Sequence, residues 1–320
     1  MQTAEMRLIC ISDIHGSYDE LRRLLNKVNF NENDLLLLLG DLWLRGKQPR
    51  ETLEYIIELC KLPNVHALRG NWDALFEPFD EFQASIIENL PAYHSPTPEQ
   101  VEFLKALPDI IDSGPAVFAH AGIKPGLLET QNPRFVLRND AFADASPGFD
   151  NWVIVGHWPV DNYTPKIGCC NPFINHAKRI IAIDGGLVVR RVGQLNAFIV
   201  DHGEFSFASV DSLPTRKIIA AQAARGGEIY LTYANLNVEL VEDRGEVSLY
   251  RSVTHGKTLE IGTQELWDNN GHLATSVGTD YWLPLAVGDE VSIVSDYPTQ
   301  LLCKHNGTIG WVSANCLASQ

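Results

Sequence analysis

Five short aliphatic runs punctuate the first half of the chain: Leu8–Ile11, Leu35–Leu39, Val65–Leu68, Ala116–Ala119 and Val153–Val155. Lacking the polar alternation of half-exposed strands, they predict strands covered on both faces. Between them, apolar residues recur at helical spacing. Leu21, Leu24, Leu25 and Val28 share one face, and Leu53, Ile56, Ile57 and Cys60 another. Thr97 as cap, Pro98 in the first turn and Gln100 as capping-box partner predict a further helix, with Val101 and Leu104 facing inward. The stretch Phe76–Pro96 reads as loops and helical cover. Strands alternating with helices give an α/β domain.

Ile180–Ile183, Leu187–Val189 and Phe198–Val200 predict strands of a second sheet, with turns at Gly185-Gly186 and Gly203. This domain is expected to span residues 1–210, followed by a linker at 211–225. From Gly226 the pattern changes to short strands and tight turns: Glu228–Tyr233, Val238–Val241, Val247–Arg251 and Val291–Val294. Residues 226–320 therefore read as a separate β-rich region.

Each of the first five runs ends in a polar cluster: Asp13-Ile14-His15-Gly16, Gly40-Asp41, Arg69-Gly70-Asn71, His120-Ala121-Gly122 and Gly156-His157. One Asp or His at a strand end is more often a cap than a ligand. Five at equivalent places point to a metal site assembled from Asp13, His15, Asp41, Asn71, His120 and His157. Oxygen and imidazole donors without thiolate suit Mn²⁺, Fe or Zn²⁺ rather than a soft metal or an all-oxygen calcium site.

Composition narrows the function classes. Twenty-five basic against 40 acidic residues give a formal charge of −15, which disfavours nucleic acid and anionic membranes. A phosphorylated substrate has to be attracted locally. No apolar stretch reaches a bilayer span and Met1–Arg7 lacks the regions of a secretion signal, so a soluble cytoplasmic protein is expected. The six scattered cysteines read as structural thiols, Cys10 within the first core strand.

In order, the motifs Asp-x-His-Gly, Gly-Asp-(x)3-Arg-Gly, Leu-Arg-Gly-Asn, His-Ala-Gly and Gly-His resemble the phosphoprotein phosphatase branch of the calcineurin-like metallophosphoesterases, bacterial type, over roughly residues 6–205. The resemblance implies a four-layer α/β/β/α sandwich holding two divalent metals, manganese first among the choices. Asp13 and His15 would hold one metal, Asp41 would bridge, and Asn71, His120 and His157 would hold the other. Pro159 stands where the wider superfamily often has a further histidine, leaving the first metal more open. Water bridging such a pair loses a proton near neutral pH and attacks phosphorus in line. Arg45 matches the family's phosphate-binding arginine. Arg138, in Phe135-Val136-Leu137-Arg138-Asn139, resembles a second, although Val136 replaces the usual tryptophan. Asp41, Arg45, Asn71 and Arg138 are thus the implied catalytic residues, and Arg69 is a weaker phosphate candidate.

Two departures alter the expected chemistry. Family members carry Asp where this chain has Leu44 and His where it has Trp72, and those two form the pair that protonates the leaving oxygen. Both are replaced together, which avoids an unpaired buried carboxylate. General-acid help, worth about 10²- to 10⁴-fold, is lost unless His94, His176 or a metal-bound water supplies it. Good leaving groups suffer least. The leading expectation is a metal-dependent protein phosphatase favouring phosphotyrosine and aryl phosphates. The alternatives are a phosphodiesterase or dinucleoside polyphosphate hydrolase, and a non-enzymatic metal-binding pseudophosphatase. Trp72 offers an aromatic face for a tyrosine ring or nucleobase.

At the other end, Leu285–Val291 and Gly307–Asn315 resemble an SH3-like barrel over about residues 270–320. Leu301, Leu302 and Cys316 replace its usual groove aromatics, so a docking or structural module is expected over a proline-peptide binder. Any protein partner engaged there would meet Tyr281, Trp282, Tyr297 and Trp311. The expected ligands elsewhere are a phosphorylated protein or a small phosphoester.

Overall fold

The computed structural model describes residues 6–77, 81–91 and 94–318, with residues 81–84 described by backbone alone. The five aliphatic runs form β1 (Arg7–Ile11), β2 (Asp34–Leu39), β3 (Val65–Leu68), β5 (Ala116–Ala119) and β6 (Trp152–Val155), with β4 (Ile110–Asp112) ahead of β5. Next come β7 (Phe173–Asn175), β8 (Ile180–Ala182), β9 (Leu195–Asp201) and β10 (Glu204–Val210). They build two five-stranded sheets, ordered β10-β9-β1-β2-β3 and β4-β5-β6-β8-β7. Strands β1, β2 and β3 are parallel, as are β5, β6 and β8, so every ligand-bearing loop leaves a C-terminal strand end.

The buried aliphatic faces explain the layering. Cys10, Leu37, Leu39 and Phe198 from the first sheet meet Phe118, Ile154 and Ile181 from the second in one apolar layer. On the other face of the first sheet, Ile9, Ile11, Leu36 and Leu38 pack against α1 (Tyr18–Lys27) and α2 (Pro49–Leu59) through Leu21, Leu24 and Ile56. Next in the chain is α3 (Glu81–Glu88). Helix α4 (Pro98–Ala106) begins at the expected capping box. Gln100 N–H donates to Thr97 Oγ1 at 3.3 Å, and Thr97 N–H donates to Gln100 Oε1 at 2.9 Å. The outermost layer is reduced to α5 (Pro133–Leu137) and α6 (Phe142–Ala145), the latter against β8. This is a mixed α/β architecture of two facing sheets with helices outside.

Leu187–Val189 is not a strand. Arg190 N–H donates to the Gly186 carbonyl at 2.9 Å and Gly193 N–H to the Arg190 carbonyl at 3.0 Å, closing a turn that puts Val188 at φ 70°. Those local bonds hold the segment in a turn in place of a ladder.

The chain divides into two units. The first holds the segments up to Val160 and Asn171–Asp211; the second holds Asp161–Cys170 and everything from Ser212 onward. Residues 211–225, expected as a linker, instead contribute β11 (Thr215–Lys217) and the buried Ile218 to the second unit. Beyond lie β12 (Val238–Glu242), β13 (Val247–Ser252), β14 (Thr258–Gly262), β15 (Trp267–Asn269), β16 (His272–Ala274), β17 (Glu290–Asp296), β18 (Gln300–His305) and β19 (Thr308–Ser313). Residues 228–233 do not form the expected strand. The Asp280 carboxylate accepts the N–H groups of Gly227, Glu228 and Ile229, drawing them away from strand pairing.

The expected barrel over 270–320 is an open antiparallel sheet, ordered β11-β17-β18-β19, and no closed barrel occurs among the described residues. Leu301 lies in its core, Leu302 is fully buried, and Tyr297 and Trp311 are each only 2% exposed. Burial removes two of the four aromatics that a peptide groove would need.

Candidate active site

The loops leaving β1, β2, β3, β5 and β6 bring all six sequence-predicted ligands together. Ligand atoms of Asp13, Asp41 and His120 lie within 4.8 Å of one another. His15 Nε2 is 3.9 Å from Asp13 Oδ1 and 3.7 Å from Asp41 Oδ2, while His120 Nε2 is 3.5 Å from that same Asp41 oxygen. Asn71 Oδ1 sits 3.0 Å from both His120 Nε2 and His157 Nδ1. Asp41 thus stands between the His15 and His120 sides of the cluster.

The remaining ring nitrogens fix which atom faces inward. His15 Nδ1–H donates to the Leu44 carbonyl at 3.0 Å and His120 Nδ1–H to the Leu39 carbonyl at 2.9 Å, leaving Nε2 of each for a metal. His157 is reversed: Nε2 faces Asp140 Oδ1 at 3.0 Å and Nδ1 faces the centre.

These side chains are aimed by strained, crossing loops. Asp13, His15, Asp41, Arg45 and His157 have φ values of 54°, 50°, 54°, 97° and 67°, a left-handed region that is uncommon for non-glycine residues. Asp13 N–H donates to the Gly40 carbonyl and His15 N–H to the Asp41 carbonyl, at 3.0 and 2.8 Å. Gly70 is required where the second and third loops touch, because a Cβ there would lie 2.2 Å from Asp41 Oδ1. Asp73 clamps the same crossing: its carboxylate accepts the N–H groups of Asp41, Leu42 and Gly70 at 2.8, 3.0 and 2.8 Å.

The electrostatics test whether a cation fits. Asp13, Asp41, Asp73 and Asp184 are all 1–2% exposed. Burial and the Asp41 charge push the Asp73 carboxyl up to about 7 against its three N–H donors, and burial with the Asp13 charge raises Asp184 well above the usual range. Burial opposes the charged form of Asp41, but His120, His15 and the Trp72 N–H hold its pKa well below the carboxylate range. His120 gains correspondingly. Burial works against its cation, yet Asp41, Asp13 and the Leu39 carbonyl bring its pKa to about 10. Burial keeps His15 below its ordinary value. Buried carboxyl groups crowded until two of them resist ionisation, beside imidazole nitrogens and an amide oxygen, make a donor set that fits divalent cations.

Of the arginines, Arg45 is exposed and lies with its guanidinium carbon 4.9 Å from the Trp72 ring centroid. Arg138 lines a cavity of about 490 Å³ with Asn71, Asn139, Asp140 and His157. Arg69 is structural, bound to Asp109 at 2.8 Å and Glu77 at 2.6 Å. Leu44 is buried with Trp43, Leu53 and Leu75, and Trp72 packs against that cluster. His176 packs on Trp152 and Phe205. Trp152 opens β6, roughly 10 Å along the strand from the end carrying His157, so His176 is excluded as a replacement acid.

Sequence reasoning missed Asp140, Asp184 and the clamping role of Asp73. Asp184 carries the same signal as the ligands, a strand-end aspartate before glycine, after Ile180–Ile183. It accepts the Gly186 N–H at 2.7 Å. Asp140 has no such periodic signal.

The family model for calcineurin-like phosphoesterases matches residues 6–189. The chain is 27% identical over 218 residues to the asymmetrical bis(5'-nucleosyl)-tetraphosphatase PrpE of Bacillus velezensis, covering 56% of this chain and 83% of that enzyme. It is 35% identical over 131 residues to the symmetrical bis(5'-nucleosyl)-tetraphosphatase of Proteus mirabilis, covering 38% of this chain and 46% of that one, so it spans under half of that relative's length. A crystal structure of a metallophosphoesterase from Sphaerobacter thermophilus aligns with a TM-score of 0.44 at 21% identity, over 64% of this chain and 88% of that one. No helix among the described residues is long and apolar enough to cross a membrane.

Proposed function

The chain belongs to the calcineurin-like phosphoesterase family and is a hydrolase of phosphoester bonds, and from that premise we propose that it cleaves a phosphoanhydride bond of a dinucleoside polyphosphate. The observation that carries this reading is the apolar replacement of the proton-donating pair. Leu44 is 4% exposed, and Trp72 is packed beside it. Without that donor, the favoured leaving group is one that departs without a proton. A nucleotide phosphate, whose last pKa is about 6, meets that need far better than a serine alkoxide. The two tetraphosphatase relatives support the same substrate class. They favour it over the phosphotyrosine reading, the leading expectation from sequence, and hydrolase membership replaces the pseudophosphatase alternative.

Two divalent ions, manganese first, supply charge neutralisation and a water of lowered pKa when bound. Asp13, His15 and Asp41 would hold one, and Asp41, Asn71, His120 and His157 the other. Asp41 serves both because the Trp72 N–H fixes its Oδ1 at 2.8 Å, leaving Oδ2 toward the two imidazoles. Arg45 and Arg138 would grip phosphate oxygens, and a planar guanidinium can take two at once. As the attacking oxygen bonds to phosphorus, the bridging P–O bond breaks and its electron pair leaves on the nucleotide phosphate.

Aryl phosphomonoesters meet the same leaving-group requirement and form the second reading. Diadenosine tetraphosphate, p-nitrophenyl phosphate, its bis-ester, and phosphotyrosine and phosphoserine peptides should be compared with Mn²⁺, using Asp41→Asn as control. The tetraphosphate is expected to have the highest kcat/KM, with activity lost in the control. A faster phosphotyrosine peptide would transfer the assignment to the second reading; equal rates on phosphoserine and phosphotyrosine would sink the leaving-group argument.

A further inference from the structure

We infer that Trp72 is the positioning residue for Arg45, its ring acting as the platform that holds the phosphate-binding guanidinium where a polyphosphate chain enters. This rests on the phosphoanhydride reading for its substrate class, but not for its geometry.

Trp72 is tied down on several sides. Its N–H donates to Asp41 Oδ1 at 2.8 Å, its carbonyl accepts Trp43 Nε1–H at 3.4 Å, and its side chain packs on the cluster containing Leu44 and Leu75. The Arg45 guanidinium lies over the same ring at 4.9 Å. One residue therefore links the carboxylate at the centre of the ligand cluster to the cation at its rim. The ring face offered to a tyrosine or nucleobase by the sequence reading carries Arg45 instead.

Arg45 needs such support. Its backbone sits at φ 97°, its side chain is exposed, and among the described residues no carboxylate pairs with it, in contrast to Arg7 and Arg69. A long exposed side chain in that setting loses rotamer entropy when it binds an anion. Contact with the ring face restricts it beforehand, while the guanidinium keeps its N–H donors for an anion. Replacing the family histidine with tryptophan thus exchanges a proton donor for a fixed cation. That exchange suits a substrate that needs charge neutralised along several phosphates rather than a proton on its leaving oxygen.

The test is binding of inorganic phosphate and of tripolyphosphate to the Mn²⁺-loaded protein by calorimetry, for Trp72→Leu, Trp72→Phe, Arg45→Lys, Arg45→Ala and the Trp72→Leu/Arg45→Ala double variant. Trp72→Leu and Arg45→Lys should weaken tripolyphosphate binding by about threefold to thirtyfold, and Trp72→Phe by about twofold or less. The double variant should bind no worse than Arg45→Ala, because the platform acts only through the arginine. Unchanged binding in Trp72→Leu, or additive losses in the double variant, would overturn the inference. If Trp72→Leu does not fold, Arg45→Lys set against Trp72→Phe decides: equal affinities reject the platform. A protein that shows this binding pattern yet leaves dinucleoside polyphosphates intact keeps the platform and loses the proposed substrate.

Discussion

The main-chain N–H of His157 donates to Asp13 Oδ2 at 2.9 Å, joining the fifth ligand loop to the first across 144 residues of sequence. Gly156 makes that approach possible, since a Cβ there would stand 2.3 Å from the same oxygen and 2.6 Å from Ser12 Oγ. Gly156→Ala is expected to displace Asp13 and lower kcat by about 10²-fold, the cost of an ångström-scale misplacement. Turnover of p-nitrophenyl phosphate checks it; retention of half the wild-type rate would show the crossing to be yielding.

Asp140 is expected to act on metal affinity rather than on folding. Its side chain is 69% exposed and contacts the site through His157 Nε2 at 3.0 Å. Asp140→Asn should weaken Mn²⁺ binding about 10- to 100-fold, the usual effect of removing a carboxylate behind a ligating imidazole. The urea midpoint of the metal-free protein should not move. Calorimetric Mn²⁺ titration and a denaturation curve separate the two effects.

Restoring the missing acid pair should redirect specificity. Leu44→Asp combined with Trp72→His is expected to raise kcat on a phosphoserine peptide by about 10-fold or more, within the range of general-acid catalysis. Phosphate affinity should fall at the same time as Arg45 loses its platform. Leu44→Asp alone should destabilise the protein, as it buries a carboxylate in the cluster around Trp43 without a partner. Steady-state kinetics on both peptides, with melting curves, distinguish these outcomes.

Away from the site, Arg7 Nε and Nη2 each donate to Asp34 at 2.8 Å, and Asn31 N–H adds a third bond at 2.9 Å. Burial opposes the Asp34 anion, but these donors hold its pKa below the ordinary value. A depressed carboxyl stabilises the fold above its unfolded pKa, about 3.9, and that contribution is lost as pH falls through the folded value. Asp34→Asn should therefore cost about 1–3 kcal/mol at pH 7. The difference from wild type should shrink below about pH 4. Urea unfolding at pH 7 and pH 3 provides the comparison.

What is legible in the chain is whatever a strand end dictates locally. Asp13, Asp41, Asn71, His120 and His157 each follow a buried aliphatic run, so period and position alone place them at one edge. Asp184 follows the same rule, yet the glycines after it read only as a turn. The Arg45–Trp72 stack, the Asp140–His157 pair and the capture of three N–H groups by Asp280 depend on side chains meeting over 17 to 53 residues or from separate loops. Hydrophobic period carries no record of such meetings. Val188 at φ 70° shows the converse: a β-branched residue with strand propensity yields to the turn bonds around it.

The second unit takes in Asp161–Cys170, held by Tyr230 Oη–H on Asp161 at 2.7 Å, Cys170 N–H on the Gly307 carbonyl and Ile309 N–H on the Gly168 carbonyl, both at 2.8 Å. The polypeptide thus enters that unit at Asp161, shortly after the candidate ligand His157, returns at Asn171, and enters again at Ser212. Cutting the gene after Asp211 does not free an independent catalytic half; it leaves the segment Asp161–Cys170 without the sheet it was made to join. Exchanging this unit by recombination requires three coordinated breakpoints, so the β-rich portion is interleaved along the chain rather than appended as an exchangeable tail.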